Sequence, residues 1–355
     1  PPLLPPPTPA PALAQCLVGA ERCIRASPGT TPPATLDVPT VAAHGHAVLD
    51  EVATAVVGAR EPLTLALAAV LAGGHVLFED VPGLGKTLAA RSLARALGLD
   101  FTRLQCTPDL LPSDVTGSSV YDPATRTFEF RPGPVFTGLL LADEINRTAP
   151  KTQSALLESM AERQVTVEGA TYPLPRPFHV VATSNPVEHE GTYPLPEAQL
   201  DRFMVRLSVG YPGRDEEREV LARRIARRHD DPVVRQVVDR DTVLAMQAAV
   251  EQVDVHPDVL AYCVDLAAAT RTHRDLEVGA SPRGSQNLAL LARGVAVLDG
   301  REVVLPEDVK RVAVPVLAHR LTLTPGAWAA DLRPEALVDD LLRTVPGPAT
   351  VGRAA

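Results

Sequence analysis

The chain has 355 residues, 45% of them hydrophobic and only 4% aromatic, enough for a sizeable core built from Ala, Val and Leu. Its net charge of −9 argues against a duplex-binding surface, which is usually basic, so nucleic acid is not an expected partner. The longest apolar run, Leu63 to Ala72, is too short for a bilayer, and the four cysteines (Cys16, Cys23, Cys106, Cys263) show no paired ligand spacing; no membrane insertion and a reduced, cytoplasmic setting are expected.

Residues 1–40 carry 11 of the 35 prolines and no apolar periodicity, which predicts a disordered, partly polyproline II tail. From Val41 to Gly73 the pattern is helical: Val48, Val52 and Val56 recur at i, i+4 and i+8, and Leu63 to Leu71 reads as a second apolar helix. His44-Gly45-His46 has no carboxylate or cysteine at ligand spacing and reads as a solvated turn. Next comes HVLFEDVPGLGKT, His75 to Thr87. Val76 to Phe78 predicts a buried strand, Asp80-Val81-Pro82-Gly83-Leu84-Gly85 a turn, and Lys86-Thr87-Leu88 the opening of a helix that Gly98 closes. Strand, glycine turn and helix make a phosphate-binding loop, with backbone N–H groups and a helix N-terminus facing the anion. Lys86 would reach the β- and γ-phosphates of ATP, and the Thr87 hydroxyl would ligate Mg²⁺. Only three of the 34 cationic Lys and Arg residues are lysines, and one of them follows Gly85. A compact ammonium suits a phosphate there better than a planar guanidinium. The general pattern places glycine at position 80; this chain has Asp80.

Cys106 follows an apolar stretch and reads as a small buried residue rather than a nucleophile. Leu139 to Ala142 predicts a second buried strand ending in Asp143-Glu144. Two acids at the end of an apolar strand are costly to desolvate without a cation. Asp143 is placed to hold Mg²⁺ through its water shell, and Glu144 to polarise the attacking water. His179 to Thr183 predicts a third strand, ending in Ser184-Asn185-Pro186, and Asn185 could orient that water with its amide. Strands alternating with helices imply an α/β fold, a parallel sheet with helices on both faces. From Asp215 to about Arg320 the pattern is helical, with no convincing strand, as in a smaller all-α region. Its first helix has acids early and Arg223, Arg224, Arg227 and Arg228 late, an order that complements the helix dipole and reads as a solvated face.

Four separated blocks, HVLFEDVPGLGKT, LLLADEINRTAPKTQSALLESMAERQVTV, VVATSNPVEHEGTYPLPEAQLDRF and GASPRG, together resemble the MoxR family of AAA+ ATPases over roughly residues 41–325. The resemblance implies a nucleotide-binding domain at 41–212, a helical lid at 213–325, and a C-terminal helix with a frayed tail at 326–355. It makes Arg202 the candidate arginine finger acting on a neighbour's nucleotide, with Arg147 as the alternative. Arg283 matches a sensor arginine expected to touch the γ-phosphate within its own subunit, and Val57-Gly58 resemble the segment flanking adenine. Residues from about Gly117 to Pro134 suggest a β-hairpin inserted in the second helix, and Gln164 to Leu174 a second hairpin turning at Glu168-Gly169. The implied function is ATP hydrolysis in a homo-hexamer, coupled to chaperone-like remodelling of an unidentified protein client, with a von Willebrand factor A domain protein as partner. A nucleotide-dependent switch with slow hydrolysis, and a magnesium-chelatase-like or DNA-directed motor, are the alternatives.

Overall fold

The computed structural model describes residues 36–185, 191–229 and 231–348. Cys16, Cys23 and the proline-rich segment to residue 35 lie outside them, as do residues 349–355. Helix α1 (Val38–Ala53) starts three residues before the expected boundary, because Asp37 caps it through a bond from the Thr40 N–H and Pro39 suits a first turn. Val56 lies beyond its end yet stays buried, and His44 and His46 sit within the helix rather than on a turn. Helix α2 (Arg60–Leu71) leads to strand β1 (Val76–Glu79), and α3 (Lys86–Ala96) to β2 (Phe101–Gln105). The one-turn helix α4 (Pro112–Thr116) precedes a hairpin of β3 (Gly117–Asp122) and β4 (Thr127–Pro132). No helix resumes between that hairpin and β5 (Leu139–Asp143), so the hairpin follows a helical turn instead of interrupting a longer helix. Helix α5 (Pro150–Glu162) runs into the second hairpin, β6 (Gln164–Val167) and β7 (Ala170–Pro173), where Glu168 and Gly169 both take positive φ. Strand β8 (His179–Ser184), the short α6 (Glu197–Leu200) and β9 (Val205–Leu207) complete the α/β part.

All five central strands are parallel, in the order β2-β5-β8-β1-β9. Their continuous apolar runs are explained by cover on both faces. In β5, Leu139 and Leu141 pack toward α1, α2 and α3, while Leu140 and Ala142 join Leu156, Leu157 and Met160 of α5 on the other side. The loop after β1 opens at the carboxyl end of a strand flanked by β8 and β9, the position where such sheets receive ligands.

Helices α7 (Arg214–Arg227), α8 (Arg240–Val250), α9 (Pro257–Arg271), α10 (Pro282–Leu298) and α11 (Pro306–Leu317) follow. A short antiparallel pair, β10 (Leu276–Val278) with β11 (Thr322–Leu323), departs from the all-helical expectation; runs of three and two residues carry no periodicity to detect. Helices α12 (Pro325–Ala329) and α13 (Pro334–Thr344) end the described chain. The helical part shares a core with the sheet: Leu288, Leu291 and Val295 of α10 pack in one cluster with Val41, Val48 and Leu67. Gly294 lets α10 approach α2 closely, since a Cβ there would lie 2.6 Å from the Ala68 carbonyl oxygen.

Two buried histidines brace the amino edge of the sheet. His75 accepts a 2.9 Å bond from the Val180 N–H at Nδ1, and His179 accepts one of 2.9 Å from the Gln247 amide at Nε2. Each ring must therefore be neutral, and burial holds His75 down to about 3 and His179 to about 4. Unfolded, both titrate near 6.5. Their contribution is complete above that pH and is lost as pH falls toward 4, by up to about 1.4 kcal/mol per pH unit for each ring. Melting curves between pH 7.5 and 4.5 should therefore fall more steeply for the wild type than for His179→Gln. Equal slopes would remove His179 from this role.

Candidate nucleotide site

Gly83 and Gly85 carry φ values of 86° and 79°, and a Cβ added at either would meet nothing within 4 Å. The bend is thus both strained for other residues and open on the side an anion would enter. Gly85 caps α3 without a side-chain bond, leaving the first N–H groups of that helix to serve a ligand. Val81, Pro82 and Leu84 complete the bend, and Leu88 packs against the core from the first turn of α3.

Lys86 is buried and donates to the carbonyl oxygens of Asp80 at 2.5 Å and Ser184 at 3.3 Å. Burial pulls its pKa below the ordinary value, opposed by the carboxylates of Asp80, Asp143, Glu144 and Glu79. A phosphate beside the ammonium would favour the charged form in the same way. The Thr87 hydroxyl donates to Asp143 Oδ2 at 3.2 Å, so two hard oxygen donors from different elements converge, the chemistry that suits Mg²⁺. The residues present therefore fit a magnesium–nucleotide complex.

The acid pair is held by neighbours that local sequence did not reveal. Thr183 Oγ1 donates to Asp143 Oδ1 at 2.6 Å and accepts from the Glu144 N–H at 2.8 Å, so one hydroxyl orients both acids. Arg103 on β2 places Nε and Nη2 at 3.0 and 2.6 Å from Asp143 Oδ2, supplying a counter-charge to a nearly buried carboxylate. Gln105, two residues on and on the same edge, donates to Glu144 Oε2 at 3.0 Å. Glu144 adopts a left-handed backbone (φ 58°), which turns its side chain out of the strand. Asn185 is buried at the carboxyl end of β8, where its carbonyl accepts from Asn146 Nδ2. Pro186 lies outside the described residues. Cys106 is buried with its thiol pushed up to about 12 by desolvation, in keeping with a core residue.

Three sequence-derived placements look different in three dimensions. The Asp80 carboxylate turns away from the bend, accepting from Ser208 Oγ at 2.9 Å and from the Val209 and Gly210 N–H groups. Its backbone lines the phosphate loop; its side chain does not. Arg147 pairs with Glu144 of its own subunit at 3.2 Å. Arg283, expected beside its own γ-phosphate, instead lies 3.8 Å from the Asp201 carboxylate. Asp201 leads into β9 at the amino edge of the sheet, where the Met204 N–H donates to the His75 carbonyl just before β1. The phosphate loop follows the other end of β1, a strand of four residues that spans roughly 13 Å. Arg283 thus faces the residue that precedes Arg202, whose own Nη1 donates to the Leu157 carbonyl at 2.7 Å. The nearly buried Arg320 fastens this corner through a 2.8 Å ion pair to Asp201.

Gly58 (φ 77°) approaches the start of α7, where a Cβ would lie 2.7 Å from a Glu216 carboxylate oxygen; Val57 and Gly58 thus border the segment linking sheet and helices. A groove of about 940 Å³ runs between α3 and residues 231–236, lined by Arg91, Arg95 and Asp231 among others, without the loop or the acids. Among the described residues no cluster of three or more His, Cys, Asp or Glu could hold a metal, and no helix is long and apolar enough to cross a membrane.

Residues 75–205 match the family described as ATPase family associated with various cellular activities (AAA), and residues 268–341 match the AAA lid domain. The chain is 41% identical to the Mycobacterium tuberculosis protein named Chaperone MoxR1 over 307 residues, 84% of this chain and 81% of that one. It is 47% identical to the uncharacterized Bacillus subtilis protein YeaC over 300 residues, 84% of this chain and 93% of YeaC. Identity to Protein MoxR of Paracoccus denitrificans is 36% over 295 residues, 75% of this chain and 85% of that one. A solved structure of a candidate ATPase from Cytophaga hutchinsonii superposes with a TM-score of 0.82 at 38% identity, covering 95% of this chain and 100% of the other.

Proposed function

The chain belongs to the MoxR family of AAA+ ATPases, and from that premise we propose that it binds ATP with Mg²⁺ at the loop from Asp80 to Leu88 and hydrolyses it. The observation that carries this reading is the convergence of Lys86 and Thr87 at the start of α3 with Asp143 at the end of β5 around one open, glycine-lined bend. The Lys86 ammonium leaves two backbone carbonyls for the β- and γ-phosphates. Magnesium, held by the Thr87 hydroxyl and the Asp143 carboxylate, would neutralise charge on those phosphates. Glu144, kept in place by Gln105 and Thr183, accepts a proton from the attacking water, and Asn185 orients that water.

The arginines extend the proposal to assembly. Arg202 and Arg283 have their contacts at Leu157 and Asp201, before the start of β9 and at the other end of the sheet from their own phosphate loop, so in this reading they act on the nucleotide of an adjacent copy, in a homo-hexameric ring. In this reading Arg283 works in trans, a revision of the role its motif suggested. Residues 41–212 then form the nucleotide-binding domain, 213–325 the lid and 326–355 a C-terminal extension. The ring remodels protein complexes in the cytoplasm, with a von Willebrand factor A domain partner; a relative named as a chaperone and the acidic balance of this chain favour protein clients over DNA. Lys86→Ala tests the binding step: calorimetric titration with ATP should show affinity weakened by about a hundredfold or more, as expected from losing a charged, partly buried donor. Unchanged affinity would place the nucleotide elsewhere.

A further inference from the structure

Asp80 breaks the general phosphate-loop pattern, and its contacts suggest a purpose for the change. Its carbonyl accepts from Lys86 at 2.5 Å and its N–H donates to the Ser184 carbonyl at 3.2 Å, so its backbone belongs to the phosphate loop and to the end of β8. Its carboxylate reaches elsewhere, accepting from Ser208 Oγ at 2.9 Å, the Val209 N–H at 2.5 Å and the Gly210 N–H at 3.3 Å. Residues 208–213 connect β9 to α7, and Gly210 takes a φ of 72° there. Helix α7 buries none of its residues. Its contacts include Glu216 beside Gly58 and Arg223 donating to the Ala53 and Thr54 carbonyls. An element that buries none of its residues is readily biased by a change at one anchor.

Building on the reading of the loop as an ATP site, we propose that Asp80 is a positioning residue that couples occupancy of the phosphate loop to the 208–213 connection and so to α7. The β- and γ-phosphates take Lys86 away from the Asp80 carbonyl. The freed peptide then shifts, and the carboxylate on the same residue carries that shift to Ser208, Val209 and Gly210. Coupling of this kind is reciprocal: a connection held by Asp80 also sets how readily the loop releases its lysine to a ligand.

Asp80→Gly restores the general pattern and leaves the anion-binding donors of the loop in place. Ser208→Ala cuts one strand of the tether from the other side without touching the loop. Hydrogen exchange at Val209 and Gly210 is read in the free protein and with saturating ATP, alongside calorimetric titration of each protein with ATP. In the wild type, exchange at these amides should differ by about tenfold between the two states. In Asp80→Gly it should be about tenfold faster in the free state, the loss expected for a bond to a charged acceptor, and should no longer respond to ATP although ATP still binds. Ser208→Ala should lie between. A wild-type exchange pattern and nucleotide response in Asp80→Gly would overturn the proposal. So would a wild-type connection indifferent to ATP that the titration shows to be bound; that result leaves the ATP site standing. Absence of ATP binding to the wild type would instead overturn the ATP site and the coupling together.

Discussion

Replacing Arg202 with alanine should lower ATP turnover by about 10³–10⁵-fold, the range an arginine delivered to the transferring phosphoryl group supplies. In phosphoryl transfer the protein contributes mainly position and charge, so removing one guanidinium from the transition state costs rate without abolishing nucleotide binding. The side chain also donates to the Leu157 carbonyl, so a melting curve accompanies the assay to separate a lost contact from a lost charge. Arg202→Lys keeps the charge but not the planar fork and should recover only part of the rate. Mixing decides the geometry. An Arg202→Ala subunit retains a sound phosphate loop, and a Lys86→Ala subunit retains a sound Arg202. At an interface where the second lends its arginine to the first, activity should return in mixed assemblies. No recovery at any ratio would mean that Arg202 does not serve a neighbour.

Glu144→Gln should lower turnover by about 10²–10⁴-fold, the usual worth of a positioned general base, while ATP affinity stays within a few-fold of wild type. The amide can still accept the bond from Gln105, and its shape preserves the left-handed turn after β5. What disappears is the capacity to take a proton from water. Turnover comparable to wild type would remove Glu144 from the base position and shift attention to another acceptor near the γ-phosphate. Equal loss of ATP binding would instead mean that the carboxylate mainly shapes the pocket.

The two experiments probe features of unequal legibility. Glu144 stands out in the sequence because two acids ending an apolar strand are costly to desolvate without a cation or a reaction to use them. The flanking strands Val76–Glu79, Leu139–Asp143 and His179–Ser184 were readable for a similar reason: short runs buried on both faces cannot be solvated loops. Arg202 is a candidate only through a resemblance, since nothing in LPEAQLDRF itself points to phosphate. Arg103, Gln105 and Thr183 escaped entirely. Their roles depend on β2 and β8 pairing to either side of β5, with Gln105 opposite Asp143 and Ala182 opposite Ala142.

By itself the chain determined its phosphate loop, its acid pair and the parallel sheet that presents them, because glycine conformations, strand burial and helix starts are set by residues a few positions apart. Only the tertiary structure decided that the Asp80 carboxylate serves the connection to α7, that Arg283 faces Asp201, and that Arg103 balances Asp143. These are contacts between segments from 40 to more than a hundred residues apart in most cases, and a charged side chain's partner is fixed by which strands and helices fold side by side. Periodicity records which face a residue occupies; it does not record who stands opposite.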